Sequence, residues 1–428
     1  MVNGNTSNMI FSKNSATNCN GKNNVLSEVQ GNTRLVHGGV HRDEGVTGLL
    51  NRSFINPPVY HASTIVFPNA QEFRATMKNW PHLALSYGRY GNPTLFVLEK
   101  AFAAIEDADN ACLTSSGVAA INAALLTFLK GGDHLLMIDG VYDATRSFCD
   151  GFLARFGVST TYYAPSITPD DLERLILPNT TVIFIESPAS MTFEVADVPE
   201  LAKRAKAKGV RVIMDNTWGP TLFKPLNNGC DVVVASLTKY VSGHSDLMMG
   251  VVAAREHTTY RSLKSCVSTL GILPGPDDAY LALRGLRTLS VRLERHATNG
   301  IKVARWLEEQ PEVARVMHPG LDSHPQYELF RTSYTNSTGL FGFQLVEGFS
   351  QGAVDAMVDG MYFFSLGLSW GGHESLLMET KINNFRTVKK WKYGDGCGQT
   401  LRIHVGLEDV SDLIVDLHNG FRRLVDYS

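Results

Sequence analysis

Five short apolar runs, separated by helical stretches, constrain the fold of this chain more than any other feature. They are "HLLMID", "VSTTYYA", "TVIFIES", "RVIMD" and "DVVVAS", all between residues 93 and 287. Each is strand-sized and rich in aliphatic or β-branched residues, as expected of a strand covered on both faces. Their alternation with helices predicts an α/β fold with a mainly parallel sheet and helices on both sides. In such a sheet neighbouring strands deliver their C-terminal residues to one edge, where open α/β folds bind ligands.

Two of these runs lead into reactive side chains. "RVIMDNTWGP" leaves the sheet at Asp215, and "VVVASLTKYVSGHSD" carries Lys239 just past its strand, between the hydroxyls of Ser236 and Thr238 and the turn-forming Gly243. A partly desolvated amine at a strand end suits Schiff-base chemistry with a carbonyl cofactor. A carboxylate on the same edge can pair with a protonated pyridine nitrogen. A third segment, "CLTSSGVAAINAALLTFL", sets Ser115, Ser116 and Gly117 before an Ala-rich helix, whose free N–H groups can hold a phosphate. Each segment alone admits a plainer reading: a surface lysine, an Asp-Asn-Thr helix cap, a capped loop. Together they provide an amine for an aldehyde, a partner for a pyridinium and a phosphate cradle. This set matches pyridoxal 5'-phosphate (PLP) on a fold-type I enzyme, with the cofactor as electron sink.

The remaining composition narrows the alternatives. With 428 residues, 44% hydrophobic and 19% charged, the chain can build a large core over more than one domain. A net charge of −3 provides no basic field for nucleic acid or an anionic membrane, and no apolar run approaches the ~18–20 residues of a membrane span. Six cysteines without a CxxC pair argue against a disulfide scaffold or zinc site and fit a reducing, cytoplasmic setting. Residues 1–32, crowded with Asn, Ser, Gly and Thr, read as a disordered tail rather than a transit peptide, because arginine and amphipathic period are missing before residue 33. An irregular, proline-bearing arm follows over 33–92. The cofactor-binding domain spans 93–287, and a C-terminal domain spans 288–428. A long helical stretch is expected over 279–310, then strands at "GLFGFQLVEG", "YFFSLGLSW" and "QTLRIHVGL" and a closing helix at "VSDLIVDLHNGFRRLVDY".

The segments "SLTKYVSGHSD", "DNTWGP", "ESPASMTFEV", "SYGRYGNPT", "LRGLRTLSVRL" and "LRIHVGLEDVSDLI" resemble the Cys/Met-metabolism group of PLP enzymes, from residue 33 to the C-terminus. Within that group "GLSWGGHESL" is most similar to the bacterial-type cystathionine β-lyases, because Trp370 follows Ser369. The resemblance implies roles residue by residue. Lys239 would hold the cofactor and move the Cα proton, and Asp215 would keep the ring nitrogen protonated. Tyr142 would stack on the pyridine face and assist catalysis. The Gly117 and Val118 amides and the Ser236 and Thr238 hydroxyls would hold the phosphate. Tyr87 and Arg89 would reach the phosphate of a neighbouring subunit, making shared sites in a homotetramer built as a dimer of dimers, with Tyr87 a further acid–base group. Arg402, Ser369 and Trp370 would bind the amino-acid substrate through its α-carboxylate.

The chain also departs from those lyases. His373 and Ser268 stand where the resemblance implies tyrosines, Gly219 and Pro220 follow Trp218 in place of alanines, and "METKINNFRTVKKWKYGDGCG" diverges. The implied activity is β-elimination of L-cystathionine or related cysteine S-conjugates to a thiol, pyruvate and ammonia. The alternative enzyme reading is γ-elimination or γ-replacement on an O-acyl-homoserine. A non-catalytic regulatory protein on this scaffold is the reading from another class. It would show as loss of Lys239 or Asp215, and both are present.

Overall fold

A computed structural model describes residues 30–38, 55–78, 85–384, 386–388, 390–391 and 398–428. The disordered-tail expectation therefore lies outside the described residues up to 29, and a helix, Gly31–His37, already begins at its predicted end.

Seven strands form the larger sheet: β1 (Asn110–Thr114), β2 (His134–Ile138), β3 (Ser159–Tyr163), β4 (Thr180–Glu186), β5 (Arg211–Asp215), β6 (Val232–Ser236) and β7 (Gly250–Ala254). Their spatial order is β1-β7-β6-β5-β4-β2-β3. All pair in parallel except β7, which runs antiparallel between β1 and β6. Helices flank the sheet and start where the sequence caps them. Asn92, ahead of Pro93, accepts the Leu95 N–H at 3.2 Å and opens Pro93–Glu106, and Ser116 accepts the Ala119 N–H at 3.1 Å and opens Gly117–Phe128. The expected α/β architecture is what the chain adopts.

A second, antiparallel sheet holds β8 (Val313–Met317), β9 (Leu340–Leu345), β10 (Leu376–Thr380) and β11 (Thr400–His404), in the order β10-β11-β9-β8. Alternation along β11 splits its side chains between two environments. Leu401 and Ile403 join Phe341, Phe343, Leu417 and Phe421 in a separate hydrophobic core. Arg402 and His404 occupy the other face. The two sheets are tied by hydrogen bonds. Trp218 Nε1 donates to the Leu340 carbonyl (3.0 Å), Tyr334 Oη to Ser187 (2.7 Å), and the Arg292 guanidinium to the carbonyls of Tyr240, Val241 and Gly285. Trp218 is thus a core residue packed edge-on against Phe330 and Tyr334, and Gly219 lets the Tyr334 ring lie close.

Three local expectations are corrected or sharpened. The predicted strand "YFFSLGLSW" is an irregular strap with one bridge, Ser365 to Leu376. The Asp416 carboxylate takes the N–H groups of Tyr362, Phe363 and Phe364, at 2.7–3.2 Å, that a ladder would have used. The long helical stretch is two helices, Pro276–Arg287 and Leu289–Glu308, broken at Thr288. There Arg292 reaches back to the Gly285 carbonyl and the Thr288 hydroxyl. Among its described residues the arm holds the end of the helix Gly31–His37, a further helix, Ala70–Lys78, and a 3₁₀ turn, Gly88–Tyr90.

Candidate active site

The C-terminal ends of β4, β5 and β6 lie side by side. Glu186 is in register with Asp215, and Asp215 with Val234. Lys239 follows three residues beyond β6 on a turn in which Gly243 N–H donates to the Lys239 carbonyl. Its Nζ donates to Ser369 Oγ at 2.7 Å and lies 5.3 Å from the Trp370 ring centre. Burial, assisted by the positive charge of Arg402, pulls the amine down to about 8. A substantial neutral fraction near neutrality is what a lysine base or nucleophile requires.

Asp215 is 7% exposed. It accepts the Thr217 N–H at 2.8 Å, and burial raises its pKa. Among the described residues no cation lies within ion-pair distance, so a protonated pyridine nitrogen would provide the missing countercharge.

The cradle beside Lys239 depends on two glycines. A Cβ on Gly117 would stand 2.7 Å from Ser236 Cβ and 2.8 Å from its Oγ, so the helix N-terminus and the end of β6 are in direct contact. A Cβ on Gly250, on the intervening strand, would meet the Ser116 carbonyl oxygen at 2.1 Å. Gly117 and Val118 thus open a helix whose first turn faces Ser236. The Thr217 hydroxyl fixes the Ser236 N–H at 2.8 Å, and Thr238 Oγ1 is engaged with Met249. Free amides at a helix start beside the Ser236 hydroxyl fit a phosphate, with the Thr238 hydroxyl held nearby on Met249. With the amine and the buried carboxylate, the residues present fit PLP.

Arg402 supplies the other half of the pocket. Its Nη2 donates to the carbonyls of Leu368 (2.7 Å) and Ser369 (3.2 Å), and burial lowers it to about 10. Among the described residues no carboxylate forms an ion pair with Arg402; backbone carbonyls hold one arm of the fork, and the other arm makes no hydrogen bond to them. Tyr142 is half-exposed, and its pKa is raised by burial and then by Asp143 and Glu186. Its N–H donates to Glu186 Oε2 at 2.8 Å.

Lys239, Ser369, Trp370 and Arg402 are brought together by direct contacts, with Asp215, Tyr142, Gly117, Val118, Ser236 and Thr238 around the same sheet edge. Tyr87 and Arg89 are not joined to them within this chain. Arg89 donates to the Ser268 carbonyl (2.6 Å) and to Tyr90 Oη (2.8 Å), and Tyr87 packs edge-on near Tyr90 with its ring partly exposed. Ser268 is therefore tied to the arm rather than to Lys239, while His373 is exposed at the rim beside Glu374. Glu186 is a residue the sequence reading passed over. Its signal, one acid closing a buried strand, is the same as that of Asp215. His404, buried beside Arg402, was also passed over.

Comparison with known proteins agrees with this geometry. The family model for "Cys/Met metabolism PLP-dependent enzyme" matches residues 32–422. The chain is 41% identical over 405 residues to a putative cystathionine beta-lyase of Rhizobium johnstonii, covering 94% of this chain and 98% of that protein. It is 37% identical to the cystathionine beta-lyase of Escherichia coli, covering 87% and 94%. The crystal structure of cystathionine gamma synthase from Xanthomonas oryzae pv. oryzae superposes with a TM-score of 0.83 at 29% identity, covering 94% and 100%.

Proposed function

Because this chain belongs to the Cys/Met-metabolism family of PLP-dependent enzymes, we propose that it is a carbon–sulfur lyase that β-eliminates L-cystathionine, or related cysteine S-conjugates, to a thiol, pyruvate and ammonia. The observation that carries this reading is the single strap, residues 367–371, shared by the two reactive groups. Ser369 Oγ takes the Lys239 ammonium while the Leu368 and Ser369 carbonyls take Arg402. An amine for the Cα proton and a guanidinium for the α-carboxylate are thereby set at a fixed separation, as a reaction at Cα demands.

PLP bound here supplies the electron sink that makes the Cα–H bond labile. Lys239 would hold the cofactor aldehyde, and its amine, 2.7 Å from Ser369 Oγ, would accept the Cα proton of the substrate. A pKa of about 8 suits that transfer. Asp215 would pair with the ring nitrogen, and the Tyr142 ring would pack on the pyridine face. The Gly117 and Val118 amides and the Ser236 hydroxyl, with the Thr238 hydroxyl once turned from Met249, would hold the phosphate. The free arm of Arg402 grips the substrate carboxylate, with Ser369 and Trp370 lining that end. Arg89 and Tyr87, unattached to this chain's own pocket, serve the neighbouring subunit of a homotetramer, where a planar guanidinium suits a phosphate. We place the enzyme in a reducing, cytoplasmic setting on its six cysteines without a CxxC pair.

The cystathionine gamma synthase fold neighbour supports a second reading, γ-elimination or γ-replacement on an O-acyl-homoserine, which needs an additional proton removed from Cβ. Incubating the purified protein with L-cystathionine, L-cystine and O-acetylhomoserine and identifying each keto acid separates the two. Pyruvate from the first two supports β-elimination. 2-Oxobutyrate as the main product overturns it.

A further inference from the structure

His404 is almost wholly buried, two residues beyond Arg402 on the same face of β11. Its Nε2 accepts the Gly371 N–H at 3.0 Å. Nδ1 must then carry the proton, and it lies 3.1 Å from the Glu374 carbonyl, to which it donates. Its ring packs against those of His296 (5.1 Å) and Tyr240 (5.8 Å), which also touch each other. Burial holds both histidines well below their usual pKa, so His404 keeps one neutral tautomer.

Gly371 has φ +85°, and a Cβ there would stand 2.7 Å from the Tyr240 nitrogen and 2.9 Å from the Lys239 carbonyl carbon. The strap therefore rests on the backbone of Lys239 itself, immediately after the two residues that touch its amine. Only a group that accepts from Gly371 while donating to Glu374 fixes both sides of this turn, and the imidazole does so with its two opposite nitrogens.

We propose that His404 is a positioning residue, a neutral two-pronged latch that holds the Gly371 turn down on Lys239. It thereby sets the distance between the lysine amine, Ser369 and the carbonyls that aim Arg402. The inference rests on the carbon–sulfur lyase reading for its kinetic consequence but not for its spectroscopic one.

His404→Phe fills the ring volume without either prong. His404→Gln keeps an acceptor within reach of Gly371, whereas His404→Asn, one methylene shorter, keeps only the donor to Glu374. With PLP-loaded protein, the pH midpoint of the visible absorbance of lysine-bound cofactor reports the surroundings of Lys239 whatever the substrate. We expect His404→Phe and His404→Asn to move that midpoint by at least half a pH unit and to raise KM for L-cystathionine at least tenfold. His404→Gln should stay within a quarter unit and threefold. Wild-type midpoints in both the Phe and the Asn variants overturn the latch. If the Phe variant does not fold, equal behaviour of Gln and Asn overturns the Gly371 contact. Altered midpoints without turnover of any thioether leave the latch standing and remove the lyase reading.

Discussion

Replacing Gly117 by alanine tests the phosphate cradle with one methyl group. The new Cβ would lie 2.7 Å from Ser236 Cβ, about 1 Å inside a normal carbon–carbon contact. Both atoms are fixed to backbone, so no rotamer relieves the clash. The helix start or the end of β6 must retreat by about that distance. A retreat of about 1 Å takes an amide donor from the 2.7–3.2 Å window of a hydrogen bond out of range of a phosphate oxygen held by the remaining groups. Loss of one charge-assisted hydrogen bond costs about 1.5–3 kcal/mol, or roughly 10- to 150-fold in affinity. The assay is the dissociation constant for PLP, read from visible absorbance during titration of apoprotein, with circular dichroism as the control for folding. A folded Gly117→Ala protein that binds PLP as tightly as the wild type would refute the assignment of this helix start as the cradle.

Arg402→Lys should raise KM for L-cystathionine and also lower kcat, because a point charge cannot grip the strap carbonyls and a carboxylate together; steady-state kinetics checks both. Mixing Arg89→Ala with Lys239→Ala subunits, each inactive alone, should restore activity through one intact site per dimer. No recovery after proven subunit exchange would remove the cross-subunit role. Glu106, fully buried, has its pKa raised from 4.5 to about 7, first by burial. The folded state then holds its proton more tightly than the unfolded one, so stability falls as pH rises from 4.5 through 7. Glu106→Gln should therefore gain about 2–3 kcal/mol on wild type between pH 5 and pH 8 in urea unfolding.

The sequence was legible where burial and chemistry coincide within a few neighbours. β2 to β6 announce themselves as apolar runs, and Asp215 and Lys239 stand out as polar residues closing them. β1 (Asn110–Thr114) and β7 (Gly250–Ala254) are rich in small residues, and their strand character comes from pairing with each other and with the better-marked β6. The strap at 362–370 has the composition of a strand, but the carboxylate that denies it a ladder belongs to Asp416, over fifty residues downstream. His404 reads in isolation as a core histidine. Its partners on Gly371 and Glu374 lie about thirty residues away and become visible only once β11 and the strap are placed together. Arg402 stands out as an arginine within an apolar strand, yet the Leu368 and Ser369 carbonyls that hold it cannot be read from side-chain identities.

β-Elimination driven by Lys239 is tested most directly by the products formed from L-cystathionine. Purified, PLP-loaded protein should release pyruvate and homocysteine in equal amounts, and Lys239→Ala should release neither while retaining its fold. Cysteine and 2-oxobutyrate as the main products, or undiminished pyruvate from Lys239→Ala, would contradict it.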